Sequence, residues 1–585
     1  MSPRVIALSA AIAASSAPAL LAYNLSPSPT YLNQALAFTL WAVFVMVSAP
    51  AGPGRGPWAV WAALALLAAT AAWSWGPGAL PASLALSTLA TLFAAAVLVA
   101  GGAGARARPD AQALFTAFCW AWVAAGVLNI LVALVQVFVP ELPDGAWVAA
   151  SGIPGRAVGN LRQPNHLSSL LLWHCIAVVA LLELGRLKRA WAGVLLAAGV
   201  FAVVLTASRT GLVSVLLLAL WGLLDRRLSR PARGLLLAAP LAYLVSWLAM
   251  AQWATLTQHT FGGAARMAES DITSSRVAIW RDTLTLIAQQ PWAGVGFGEF
   301  NFAWTLTPLP QRPVAFFDHT HDLPLQLAVE LGLPLATGVM ALLLWALWRG
   351  MRQAWSVPAA LGVAQRCAML MVLMIGLHSL VEYPLWYSYF LLPAAWAWGF
   401  ALQRPATVAA PPATVARRMA PSTAVSAAAL LVAAGAALSV LDYLRVADIF
   451  TATPGAPPLE QRIATGQRSV FFAHHADYAA VTSGVPLADP VHAFDRVTHY
   501  LLDTRLMIAW AESLAARGEI DKARHIAARL REFRKDDAAE FFEPCTAAAP
   551  TAAASGASAP GAPAPEPFQC VAPVNVPDWR SFTRP

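Results

Sequence analysis

Asp318-His319-Thr320-His321-Asp322-Leu323-Pro324 places two imidazoles and two carboxylates directly before an apolar run. Asp322 suits the cap of the helix that Pro324 can open, so His321 falls just outside a helix N-terminus. The positive helix end disfavours a second positive charge there, leaving an imidazole able to accept a proton from a hydroxyl. Glu330 follows nine residues on, about 13 Å along an unbroken helix, which is too far to orient His321 directly. Upstream, Ser274 or Ser275 can cap an amphipathic helix with Val277, Trp280, Leu284 and Ile287 on one face. Arg276 then lies in its first turn, where a cation opposes the dipole and an added anion would relieve it. Arg209 sits in the tight turn Ala207-Ser208-Arg209-Thr210-Gly211, where a guanidinium and helix amides can hold a phosphate together.

Two further segments gather polar groups beside apolar runs. Gly159-Asn160-Leu161-Arg162-Gln163-Pro164-Asn165-His166 precedes one, with Asn165 expected to cap it and Arg162, Gln163 and His166 left as candidate binding groups. His378-Ser379-Leu380-Val381-Glu382-Tyr383-Pro384-Leu385-Trp386-Tyr387 forms another turn. An aromatic belt accounts for its rings, but not for His378 or Glu382, which need partners at a bilayer edge. Asp318, His319, His321 and Asp322 are also plausible metal ligands, without a second His/Glu pair at helical spacing to support them. Gly294-Val295-Gly296-Phe297-Gly298 follows no strand and reads as a bend, and no Gly-x-Ser-x-Gly elbow is present.

The elements that must position these residues are membrane helices. Of 585 residues, 58% are hydrophobic and 12% charged, which excludes a soluble enzyme and predicts an all-α polytopic membrane protein. Thirteen candidate spans lie at 5–23, 31–49, 57–75, 82–100, 112–138, 167–184, 190–206, 211–224, 234–254, 324–348, 367–382, 385–402 and 423–444. One set of alternate turns carries sixteen Lys and Arg residues, while the opposite short turns carry only Arg156, Arg162 and Arg209. The N-terminus is therefore expected in the cytoplasm, with the loop 255–323 and the C-terminus outside. The net charge of +8 mostly reports this bias, and no basic soluble domain suggests a nucleic-acid partner. The run after Arg4 resembles a signal peptide, with Ala17-Pro18-Ala19 as a cleavage-like site, but its removal would upset the alternation, so it is read as retained.

Residues 1–444 thus read as the membrane domain, 445–544 as a helical exported domain, and 545–585 as an Ala/Pro-rich tail. Leu501 to Arg517 and Glu519 to Phe533 predict a hairpin, with Leu506, Ala509, Trp510, Leu514, Ile520, Ala523, Ile526, Ala527 and Leu530 at tetratricopeptide-like spacing. One such unit must pack on other helices. Cys545 and Cys570 could bridge in an oxidising compartment, whereas Cys119, Cys175 and Cys367 lie in or beside spans.

Taken together, 159–166, 319–332 and 378–387 resemble the O-antigen ligase and polymerase superfamily, most closely its PglL-type branch of bacterial protein O-oligosaccharyltransferases. That family usually has Asn after the second loop histidine, where this chain has Asp322. The resemblance implies an enzyme of the bacterial inner membrane, without a cofactor or metal. It would move a preassembled glycan from undecaprenyl diphosphate to a hydroxyl of an exported acceptor such as a pilin or periplasmic protein. Arg209, Arg276 and His321 would be catalytic, and Arg162, Gln163, Asn165, His166, His319, His378, Glu382 and Tyr383 would bind substrate. Ligation to lipid A-core, or glycan polymerisation, uses the same chemistry. A transporter is a third reading, although transporters place their charges near the midplane rather than at one face.

Overall fold

The computed structural model describes residues 2–583 apart from 269–273, 311, 358, 405–420, 486–489, 534 and 548–565. The described elements are all helical, with no strand among them. Each of the thirteen apolar segments coincides with one apolar helix. Eight of these helices have the length and hydropathy to cross a bilayer; Tyr31–Val47, Arg189–Leu205, Arg209–Leu224, Gly362–His378 and Ser388–Leu402 are shorter. The chain is a multi-pass membrane protein.

The chain divides into two compact units. The first comprises Met1–Leu67, Ala90–Ile272 and Gly338–Leu441. Here Pro3–Leu20 packs on Tyr31–Val47 and Ala111–Phe138, and Ala111–Phe138 packs on Pro164–Glu183. Pro164–Glu183 is the most enclosed of the long helices, with 89% of its apolar window buried. It is therefore the rigid element that carries the polar segment at its N-terminus. Aromatic rings fill the interior: Phe118 stacks on Trp396 at 4.6 Å and Trp122 meets Trp173 edge-on at 4.7 Å. Small residues allow the backbones to approach, since a Cβ at Gly102 would strike the Trp396 carbonyl and one at Gly399 the Val99 carbonyl. Arg366, buried in this unit, pairs with Asp225 at 2.9 Å, and Asp225 also accepts from the Trp221 indole.

The second unit comprises Ala68–Leu89, Thr273–Thr337 and Asp442–Pro585. Its core joins the long loop to the C-terminal region: Ile279, Leu286, Phe300, Phe302 and Trp304 pack with Leu506, Trp510, Ile526, Leu530, Phe533 and Trp579. The hairpin is present as Thr504–Ala516 and Ile520–Phe533 around Gly518, whose φ of 82° suits glycine. Leu506, Trp510, Leu514, Ala523, Ile526, Ala527 and Leu530 are buried as the spacing predicts, whereas Ile520 is exposed at the helix start. Arg312 ties loop to hairpin, donating to Glu532 at 2.8 Å and lying over Trp304 at 4.6 Å and Phe533 at 5.1 Å. Cys545 and Cys570 are joined by a disulfide; the Ala/Pro-rich run between them lies mostly outside the described residues.

The loop helix Ser274–Gln289 corrects one expectation. Its buried face is Ile279, Asp282, Thr283, Leu286 and Ile287, while Val277 and Leu284 are exposed. Two polar residues rotate that face: Asp282 accepts from the Trp304 indole at 3.0 Å, and Thr283 donates to its own helix at the Ile279 carbonyl. Satisfied polar groups could thus enter the core, which an apolar-periodicity argument cannot foresee. The proposed Ser274 and Ser275 caps fall among side chains outside the described set.

Candidate functional site

In the first unit, the polar segments meet around Asn165. Gln163, not Asn165, caps the Pro164–Glu183 helix: its side-chain oxygen accepts from the His166 amide at 2.8 Å. The helix starts two residues earlier than an Asn165 cap would require, because Pro164 fits its first turn. Asn165 is thereby released to bridge two other segments. Its amide donates to Glu382 at 3.1 Å, and its carbonyl oxygen accepts from the Ser208 hydroxyl at 2.6 Å. Ser208 in turn caps the Arg209–Leu224 helix through the Gly211 amide, which places Arg209 at the first position of that helix. Arg209 also donates to the Arg266 carbonyl at 3.3 Å.

Buried His166 hydrogen-bonds the Tyr389 hydroxyl at 3.2 Å, and its ring lies edge-on to Tyr387 at 4.5 Å. His378 is also buried, with Ser169 at 2.7 Å from its Nδ1 and its ring 6.1 Å from that of His166. Arg162 donates to the Ala22 carbonyl, and burial draws its guanidinium below its usual basicity. Gln136 knits the preceding strand of loop together: its oxygen accepts from the Val158 and Gly159 amides, and its nitrogen donates to the Ala149 and Gly159 carbonyls.

The second unit holds Arg276, His319 and His321. Asp322 caps the Leu323–Ser356 helix as the sequence predicts, accepting from the Leu325 amide at 2.8 Å. Burial pushes its carboxyl above the ordinary range, partly offset by that bond. His319 lies 3.0 Å from Asp318; burial pushes the Asp318 carboxyl upward, but the histidine and backbone donors bring it below its ordinary value. His321 has a φ of 56°, and its ring stands edge-on to Phe317 at 5.5 Å.

The loop that carries these histidines is held from two sides. Trp280, one turn beyond Arg276, donates to the Thr320 carbonyl at 3.0 Å. The Thr320 amide donates to Gln326 at 2.8 Å, and Gln326 donates to Glu330 at 2.9 Å. Glu330 also accepts from the Gly298 and Phe300 amides, so it acts on the loop through Gln326 rather than by touching His321. The three glycines of the 294–298 bend all have positive φ, and a Cβ at Gly294 would press on the Glu330 backbone.

Arg209 belongs to one unit and Arg276, His319 and His321 to the other. In the first unit, Asn165 joins Ser208, which caps the Arg209 helix, to Glu382, and His166 lies beside His378; in the second, Trp280 ties the helix that carries Arg276 to the loop of His319 and His321. Gln136, Ser169, Gln326 and Tyr389 escaped the sequence reading. Gln136 carried a usable signal, a polar residue late in the apolar run 112–138. Backbone strain marks the same segments, since three of the five non-glycine residues with positive φ among the described residues are Arg162, Ala207 and His321. Such residues each cost about 1–3 kcal/mol and persist where their surroundings over-determine them, often at functional sites.

Apolar helices with polar groups concentrated on a few inter-helix turns define a class, that of multi-pass integral membrane proteins. Three families match the chain: one described as protein glycosylation ligase over residues 157–182, one as O-antigen ligase over 192–340, and one as virulence factor membrane-bound polymerase, C-terminal, over 367–543. A general O-oligosaccharyltransferase of Acinetobacter baylyi is 26% identical over 310 residues, covering 50% of this chain and 52% of that protein. A ComP-specific O-oligosaccharyltransferase of the same organism is 24% identical over 295 residues, covering 48% of this chain and 50% of that protein. The chain thus spans about half the length of these curated relatives. By these matches the chain is similar to the PglL-type branch of the O-antigen ligase and polymerase superfamily.

Proposed function

We propose that this protein transfers a preassembled glycan from undecaprenyl diphosphate to Ser or Thr hydroxyls of exported proteins, as a metal-independent oligosaccharyltransferase of the bacterial inner membrane. The thirteen apolar helices cross the bilayer with the N-terminus in the cytoplasm. The loop, the C-terminal region and the Asn165 turn lie in the periplasm. The observation that carries the reading is the Asn165 bridge between Ser208 and Glu382, because it falls within the residues that match a protein glycosylation ligase and seats Arg209 at a helix N-terminus.

In this reaction the bond between the anomeric carbon and the phosphate oxygen breaks, and its electron pair leaves with the lipid diphosphate. Arg209 and Arg276 neutralise the charge that develops there. The acceptor oxygen bonds to the same carbon, and its proton passes to His321. Arg162, Gln163, His166, His319, His378 and Tyr383 line or support the donor and acceptor positions. Asp322 adds a carboxylate where the family usually has a neutral residue, and its burial favours the protonated form.

The O-antigen ligase and polymerase matches favour a second reading, ligation to lipid A-core or glycan polymerisation. Deleting the gene and comparing periplasmic glycoproteins with lipopolysaccharide separates the two. Loss of protein-linked glycan alone supports the leading reading, and loss of the lipopolysaccharide ladder alone supports the second. No change in either removes both.

A further inference from the structure

The turn after the Ala359–His378 helix carries three aromatic rings; the chemistry above gives Tyr383 no specific contact and leaves Trp386 and Tyr387 unused. Tyr387 lies edge-on to the buried His166 ring at 4.5 Å; Tyr383 stacks on Tyr387 at 6.1 Å with planes 20° apart; Trp386 meets Tyr383 edge-on at 6.4 Å. Trp386 is 41% exposed, and the two tyrosines are half-buried. The rings therefore form one continuous wall that starts at the Asn165–Glu382 centre and ends at the molecular surface.

An interfacial belt requires only that single rings reach the headgroup level. It does not require them to interlock, or to build the wall on a buried imidazole. The segment 379–389 contains no Lys or Arg, and its single charged residue is Glu382. That charge is wrong for an anionic headgroup or a phosphate and right for a ligand rich in hydroxyl donors. A pyranose offers both an apolar face of axial C–H groups, whose positive edges suit the negative face of an aromatic ring, and hydroxyls at its rim. An isoprenoid chain has no group to use the phenol hydroxyls or the carboxylate.

We propose that Tyr383, Trp386 and Tyr387 form a saccharide subsite that stacks the pyranose rings nearest the diphosphate of the lipid-linked donor. The inference rests on the proposed function, since a carrier-bound glycan is what would lie beside the Asn165–Glu382 centre.

Binding to the full-length protein in nanodiscs tests it, with undecaprenyl diphosphate bearing chitotriose and bare undecaprenyl diphosphate as the two probes. Wild type should bind the glycosylated lipid more tightly. Trp386→Ala and Tyr383→Ala should weaken that probe about tenfold and leave the bare lipid unchanged, while Trp386→Phe and Tyr383→Phe retain most of the difference. Equal weakening of both probes assigns the rings to membrane anchoring or to folding and overturns the inference. So does equal affinity of wild type for the two lipids, or unchanged affinity in the alanine variants. Wild type that binds neither lipid removes the donor reading itself, and the subsite with it.

Discussion

Asn165 shows how little of a site's meaning lies in residue type alone. Its position before an apolar run suggests a helix cap, yet Gln163 takes that bond and Asn165 joins two distant turns instead. An asparagine can do this because it donates and accepts at once; an aspartate cannot. Asn165→Asp would set a carboxylate about 3 Å from that of Glu382, and the repulsion would splay the turn that seats Arg209. We expect transfer to fall by about 100-fold at neutral pH. Activity should recover partly as acidification neutralises one member of the pair, a profile that wild type lacks. A pH-independent loss, or none, would show that the bridge does not position the site.

At the scale of elements, the sequence foretold the apolar helices, the Asp322 cap, the 294–298 bend and the hairpin, because each follows from local periodicity or cap chemistry. It misjudged the buried face of Ser274–Gln289, where Asp282 and Thr283 turn inward on partners distant in sequence or on their own helix. The hairpin helix Ile520–Phe533 contains another residue of this kind. His525 is fully buried against the Leu306 carbonyl at 2.7 Å, and burial pulls its pKa down to about 4 from an ordinary 6.5. The folded state therefore binds this proton more weakly than the unfolded chain. Its contribution is intact above pH 6.5 and lost as pH falls toward 4, by up to about 3 kcal/mol. His475, drawn down to about 4 chiefly by burial, acts in the same sense. Thermal unfolding of the wild type should weaken across this window, and His525→Gln should show a shallower decline. An identical slope in the variant would mean that His525 is not buried neutral.

Across the whole molecule, the sequence separated an exported tail from a long loop, while the structure builds one core from both. The contacts of Phe302, Trp304 and Arg312 with Trp510, Phe533 and Glu532 span some two hundred residues, which no local pattern encodes. The Cys545–Cys570 disulfide clasps this unit and closes a loop with a sequence separation of 25, worth about 3 kcal/mol in the chain-entropy account. Cys545→Ser should lower the resistance of the C-terminal region to protease. In protein taken from cells, both thiols should resist alkylation until a reductant is added. Alkylation of both without reductant would contradict an oxidising location for this unit.

The central claim is that Arg209 and Arg276 are each needed to stabilise the departing lipid diphosphate. Reconstituted transfer with undecaprenyl-diphosphate-linked glycan and an acceptor protein measures it directly. Arg209→Ala and Arg276→Ala should each lower the rate by roughly 100- to 1000-fold, about 2.7–4 kcal/mol, at normal expression and folding. Undiminished transfer by both variants would contradict the account.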